Sequence, residues 1–173
     1  TPKREQRSIE KGATALDFAY SIHSQIGNKA IAAKVNLKLV PLSYVLKTGD
    51  QIEIITAENE KPKREWLEFV KTSKARKFIL DSLKSQRQNT INIGKAKLTE
   101  ELESIGRKLN DKTIRSLMEE FEIFDSKPEE LYFKIGSGII SLDGLSENLK
   151  KYYGINKESY FVISNSDEKH KYI

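Results

Sequence analysis

The chain contains no cysteine. That excludes disulfides, thiolate metal sites and a thiol nucleophile together. Its only histidines, His23 and His170, are too few and too far apart to suggest a metal site. No metal and no cofactor is expected. No apolar run approaches the length of a membrane span. No secretory signal opens the chain either, so a cytoplasmic protein without a membrane partner is expected. A starting methionine is also missing, and Thr1-Pro2-Lys3-Arg4 reads as the interior of a longer chain. The devices of an independent enzyme are absent: no paired-carboxylate motif on one helix, no phosphate-binding glycine loop and no nucleophile elbow.

What the chain does have is charge. Charged residues make up 32% and hydrophobic residues 38% of 173 positions, the balance of a soluble globular protein of one large or two small domains. The net charge of +5 is unevenly spread. Residues 1–60 carry 8 basic and 7 acidic side chains, a net of +1; residues 61–94 carry 9 and 3, a net of +6; residues 95–173 carry 13 and 15, a net of −2. A positive segment of this kind favours an anionic partner and salt-sensitive binding. Clustered lysines also occur on ordinary solvated helix faces, and charge alone does not separate the two readings.

Residues 12–56 read as a compact α+β unit. Thr14 and Asp17 have the spacing of a capping box. Ala15, Phe18, Ala19, Ile22 and Ile26 then form one stripe at helical spacing, and Gly27 is expected to end the helix. Strands are predicted over Ala30–Val35, from Lys38 to Val40, and over Gln51–Thr56 after a Lys47-Thr48-Gly49-Asp50 turn. One helix on a few strands in so small a unit suggests a β-grasp arrangement. Residues 59–64 are polar, contain Pro62 and read as a linker. Residues 65–155 read as helical: a short amphipathic segment at Trp66–Val70, a helix capped by Ser73, another through Leu98–Leu109 ended by Asn110, and one through Ile114–Phe121. A capping box of Ser126 and Glu129 then opens a helix that Gly136 and Gly138 break, and a last helix runs from Ser141 through Leu149. The expected organisation is a first domain over 1–58, the linker, the helical domain and a tail over 156–173.

The segment from Gly12 to Gly27, Gly-Ala-Thr-Ala-Leu-Asp-Phe-Ala-Tyr-Ser-Ile-His-Ser-Gln-Ile-Gly, resembles the signature of the TGS domain. So do Ala33-Lys34-Val35-Asn36, Val40-Pro41-Leu42, Leu46, Gly49-Asp50 and Glu53-Ile54-Ile55-Thr56. TGS domains also occur in threonyl-tRNA synthetases and some GTPases. The stretch from Glu65 to Arg76 resembles the segment that comes after TGS in RelA/SpoT-type (p)ppGpp enzymes, and Glu130-Leu131-Tyr132 with Ile135-Gly136-Ser137-Gly138 resembles the end of their helical domain. Two positions depart from the pattern. Arg4 replaces a usual turn glycine, and Leu37 stands where an Asn-Gly hairpin turn is usual; both suggest altered turns. The strand residues that usually precede Thr1 are missing, so a truncated first strand is expected. The family's hydrolase and synthetase domains lie before TGS and are not in this chain. The resemblance thus implies a non-catalytic regulatory region of a protein that is a GTP/ATP pyrophosphotransferase and (p)ppGpp pyrophosphohydrolase. It also implies that TGS grips the 3′ CCA end of deacylated tRNA while the helical domain lies near tRNA and the ribosome.

On helical geometry His23 falls about 80–90° from the centre of the apolar stripe, a flanking position. An imidazole there can stack on a base or hydrogen-bond to a ribose or phosphate. Its residue type alone favours a histidine that caps or packs a helix end; the resemblance makes it the CCA contact. Lys29 and Lys34 lie nearby in sequence and can meet phosphates, although simple solubility explains each one alone. The cluster Lys63, Arg64, Lys71, Lys74, Arg76 and Lys77 places six cations in fifteen residues, against Glu65 and Glu68. It is expected to contact nucleic-acid backbone without sequence specificity. Trp66 is assigned to packing between the domains, and Tyr20 to an exposed far side of the helix with a weak role. The competing reading is a protein-interaction module that docks on the parent enzyme's catalytic domains or on an acidic carrier protein.

Overall fold

The computed structural model describes residues 6–124 and 127–143. Arg4, Ser126, most of the helix expected after Ser141, and the tail over 156–173 lie outside them. The chain divides after Gln86 into two compact units. The fold class is α+β, with a small β-grasp-like antiparallel sheet near the N-terminus and helices after it.

In the first unit α1 (Ala15–Ile22) and α2 (Ser24–Lys29) precede β1 (Ala30–Val35), β2 (Lys38–Val40) and β3 (Ile52–Thr56). The strand order is β2-β1-β3, antiparallel throughout, with a bulge between Ala30 and Ala32. Thr14 and Asp17 form the capping box that their spacing predicts. The β1–β2 turn is Asn36-Leu37, with φ of 50° and 68°. Both residues are left-handed, as a two-residue type I′ turn requires. The hairpin geometry is therefore kept despite the leucine, and the altered turn inferred from Leu37 does not occur. Asn36 compensates. Its side chain donates to Asp50 Oδ1 at 2.8 Å and accepts from Gln51 N at 3.0 Å, tying the hairpin to the next turn.

The core of this unit joins Leu16, Ala19 and Tyr20 of α1 to Ala30 and Leu42. Trp66 and Val70, from and just after a 3-10 helix (Arg64–Glu68), enter the same core, as do Ala75 and Ile79 from the start of α3 (Ser73–Ser104). One carboxylate holds these pieces in register. Asp17 accepts from Thr14 N (2.8 Å) and Thr14 Oγ1 (2.9 Å). It also accepts from Lys71 N (3.0 Å), Thr72 N (2.8 Å) and Thr72 Oγ1 (2.8 Å). Burial by itself raises the pKa of this carboxyl; the hydrogen bonds from Thr14, Lys71 and Thr72 outweigh that and hold it below the usual carboxylate value.

In the second unit, residues 87–104 of α3 pack with α4 (Asp111–Glu120) and α5 (Pro128–Gly136). The core is Ile91, Leu98, Leu102, Ile114, Leu117, Ile123, Leu131, Tyr132 and Ile135. The two helices expected over 73–109 are one. It ends at Ser104, where Gly106 turns left-handed (φ 71°) and Arg107 N donates to Leu102 O at 2.8 Å. Asn110 ends no helix; its Oδ1 accepts from Thr113 N at 2.9 Å and starts α4. Gly138 (φ 78°) comes after α5, but Gly136 is its last helical residue. Gly136 and Gly94 lie where α3 and α5 meet backbone to backbone. A Cβ on Gly94 would strike the Tyr132 carbonyl, and one on Gly136 would strike that of Thr90. Arg87 fastens the same pair of helices, with Nη2 2.7 Å from Glu130 and the guanidinium 4.2 Å above the Phe133 ring.

This packing makes two substitutions informative. Asp17→Asn is expected to cost about 2 kcal/mol, the scale of hydrogen bonds to a charged group. The folded carboxyl titrates below its unfolded value of about 3.9, so its contribution is complete above that pH and lost as pH falls through the depressed folded value. Denaturant unfolding between pH 7 and 2 should therefore show a steeper decline in the wild type than in the asparagine variant. Gly94→Ala is expected to destabilise the second unit by about 1–3 kcal/mol, even though alanine favours a helix by about 1 kcal/mol. Urea unfolding of the variant measures this directly.

Candidate nucleic-acid interface

The apolar stripe predicts one helix to Gly27, but the chain breaks at His23. Its backbone is extended (φ −160°, ψ 145°), so it ends α1 and begins α2. The cause is tertiary. Gly27, inside α2, sits against the face of the Tyr20 ring, where any Cβ would overlap it. Tyr20 Oη donates to Asn28 Oδ1 at 2.9 Å, and the ring stacks parallel to Phe78 at 6.0 Å. Tyr20 is thus fully buried, not exposed on a far face, and burial raises its pKa. With α2 folded onto α1 in this way, His23 stands at an exposed corner.

The backbone around His23 is satisfied locally. His23 N donates to Ala19 O (3.3 Å), and Gly27 N donates to His23 O (3.1 Å). The imidazole takes part as well: Nδ1 accepts from Gln25 N at 3.2 Å and caps α2. Two residues earlier, Ser21 O accepts from Arg7 Nη1 at 3.2 Å and from Lys74 Nζ at 3.4 Å. Cations complement the carbonyl end of a helix, and here they also charge the ground beside His23. Of these two cations, Lys74 stands out in the sequence as part of a basic cluster. Arg7 does not: it lies in a segment of near-neutral net charge and reaches Ser21 only through the fold.

The other expected site residues divide. Arg76 Nη2 donates to Leu67 O at 3.0 Å, against the 3-10 helix on which Arg64 is exposed. Lys71 is exposed, with its backbone held by Asp17. Lys29 pairs with Glu58 at 2.6 Å, and that bond lowers the pKa of the Glu58 carboxyl. Lys34 lies 3.9 Å from Glu53, its neighbour across β1–β3. The fold therefore brings Lys74 to the Ser21 carbonyl, two residues before His23, leaves Arg64 on the 3-10 helix with Arg76 against it, and matches Lys29 and Lys34 with carboxylates. Trp66 is buried, but in the core of the first unit, which extends to Gln86, and not in the packing between two domains that the sequence suggests.

Among the described residues no helix is long and apolar enough to cross a membrane. Residues 1–56 match the TGS domain family, and residues 83–149 match the RelA/SpoT AH domain. A GTP pyrophosphokinase of Myxococcus xanthus is 46% identical over 103 residues, 59% of this chain and 14% of that protein. A guanosine-3′,5′-bis(diphosphate) 3′-pyrophosphohydrolase of Aquifex aeolicus is 42% identical over 142 residues, 82% of this chain and 20% of that protein. The GTP pyrophosphokinase of Escherichia coli K12 is 37% identical over 164 residues, 92% and 21%. The chain thus spans about a fifth or less of the length of these relatives, and neither domain it matches is a hydrolase or synthetase domain. A TGS domain followed by a RelA/SpoT AH domain makes this chain the TGS/AH regulatory region of a RelA/SpoT-type protein.

Proposed function

We propose that this region senses uncharged tRNA, with the TGS unit gripping the 3′ CCA end at His23. The observation that carries the reading is the corner itself: an exposed imidazole at a helix break, with Arg7 and Lys74 drawn to the adjacent carbonyl. A free 3′ end presents a hydroxyl where charged tRNA carries an aminoacyl group, and a close contact there rejects the charged form sterically. Lys71, Lys74, Arg64 and Arg76 then supply affinity through backbone phosphates of tRNA or ribosomal RNA, without reading sequence. Lys29 and Lys34 are weaker candidates, because each is already matched by a carboxylate. In the whole protein this contact regulates the (p)ppGpp synthetase and hydrolase activities from outside their domains.

The sheet supports a second reading. Leu39, Lys34 and Glu53 form one cross-strand row on an exposed face, and Leu37 at the hairpin tip is 94% exposed. Such a surface suits docking on the protein's own catalytic domains or on an acidic carrier protein.

Binding of fluorescent deacylated and aminoacylated tRNA at two salt concentrations separates these readings. The expected result is a preference of roughly tenfold or more for the deacylated form, abolished by His23→Glu. Lys74→Glu with Arg64→Glu should weaken both tRNAs and reduce the salt slope by about 0.7–0.9 per lost phosphate contact. Binding that ignores the 3′ end and His23 would favour the docking reading.

A further inference from the structure

The second unit carries a surface that the 3′-end reading leaves unused. Along α4 and the turn after it runs an open groove of about 360 Å³, lined by Ile114, Met118, Ile123 and the ring of Phe124. Ile114 and Ile123 belong to the core of the unit. Phe124 does not: it follows the buried Ile123 directly, yet is 90% exposed. An aromatic side chain at the lip of an apolar groove is the kind of anchor that protein interfaces bury. Carboxylates flank this lining. Asp111 and Glu119 stand at its two ends on α4, both exposed and about 12 Å apart along the helix. Among the described residues neither makes an ion pair. Arg115 lies one turn from each, so the lining keeps a net charge of −1. The wider segment goes further in the same direction. Residues 111–130 hold seven acidic and three basic side chains, a net of −4, against the +6 of residues 61–94. A segment of this sign repels a phosphate backbone and attracts a cationic peptide.

We propose that the α4 groove is a docking site for a lysine- or arginine-rich helical segment of a partner protein. Large apolar side chains of that segment pack between Met118 and Phe124, while its cations meet Asp111 and Glu119. The groove spans just over two turns of α4, a length that suits a helix laid into it with one or two apolar anchors. Apolar burial supplies the affinity; the carboxylates fix the orientation and turn away acidic partners. The site lies wholly within the second unit and depends neither on His23 nor on a tRNA end.

The probe is a fluorescein-labelled amphipathic helical peptide of leucine and lysine, with a twin in which glutamate replaces every lysine. Fluorescence anisotropy with the full chain should show the lysine peptide binding roughly tenfold more tightly than the twin. Glu119→Lys and Phe124→Ser alter exposed positions and should melt close to the wild type. Each should weaken the lysine peptide by roughly fivefold. Glu100→Lys, at an exposed position of α3 in the same unit, makes the same charge change outside the groove and should leave binding as it is. Equal losses in E119K and E100K would mean charge attraction without a site, and that overturns the proposal. So does an F124S chain that binds like the wild type. A gain in tRNA affinity in E119K but not in E100K would put RNA on this surface and overturns it as well. Phe124→p-benzoylphenylalanine identifies the occupant by photo-crosslinking and mass spectrometry. The expected product joins position 124 to the lysine peptide. A crosslink that the peptide does not displace, to residues after Asp143 of the same chain or to a second copy, overturns the assignment to a partner protein.

Discussion

The carboxylate of Asp17 is the constraint around which the first unit is arranged. It receives five hydrogen bonds from three residues, two of which lie more than fifty positions away in sequence. A buried charge this well solvated by fixed donors is stable only while all of them remain in place. The cap of α1, the backbone at Lys71-Thr72 and the entry into α3 are therefore linked. This link also sets Lys74, two residues past Thr72, within reach of the Ser21 carbonyl. The cationic corner at His23 is in that sense an outcome of a hydrogen-bond network centred on α1's first turn.

The corner itself shows how an aromatic core residue controls an exposed polar one. Tyr20 stacks on Phe78 on one side and admits only a glycine on another, so α2 cannot continue the axis of α1. The break exposes the His23 imidazole and at the same time engages one of its nitrogens. In mid-helix the same imidazole would find no unpaired first-turn N–H to cap.

Local features are legible in the sequence. The Thr14–Asp17 box, the strands and the burial of Trp66 follow from spacing and residue type within a few positions. Tyr20 is misplaced, because a single helix to Gly27 sets its angular phase while the chain breaks at His23 and folds Gly27 against the ring; His23 is exposed, as a flanking position requires, but at a helix end. The long α3 reads as two helices because residues 84–97 are largely polar, and a polar stretch between apolar patches looks like a connection. The partners of Asp17 at Lys71 and Thr72 carry no periodic signal, since their backbone N–H groups, common to every non-proline residue, make most of the contact. Arg7 is invisible for a related reason: nothing in its neighbourhood marks a residue that reaches the end of α1.

Where Gly94 faces Gly136, the obstacle to a larger residue is main chain on both sides. In most cores a neighbouring side chain can shrink, rotate or be exchanged to make room, so a change at one position opens a route for compensation at another. Here no second substitution can supply that room. The α3–α5 spacing behaves as a hard stop: sequence drift can alter the surrounding Ile91, Leu98 and Leu131 layers in concert, while these two positions can change only if a helix moves.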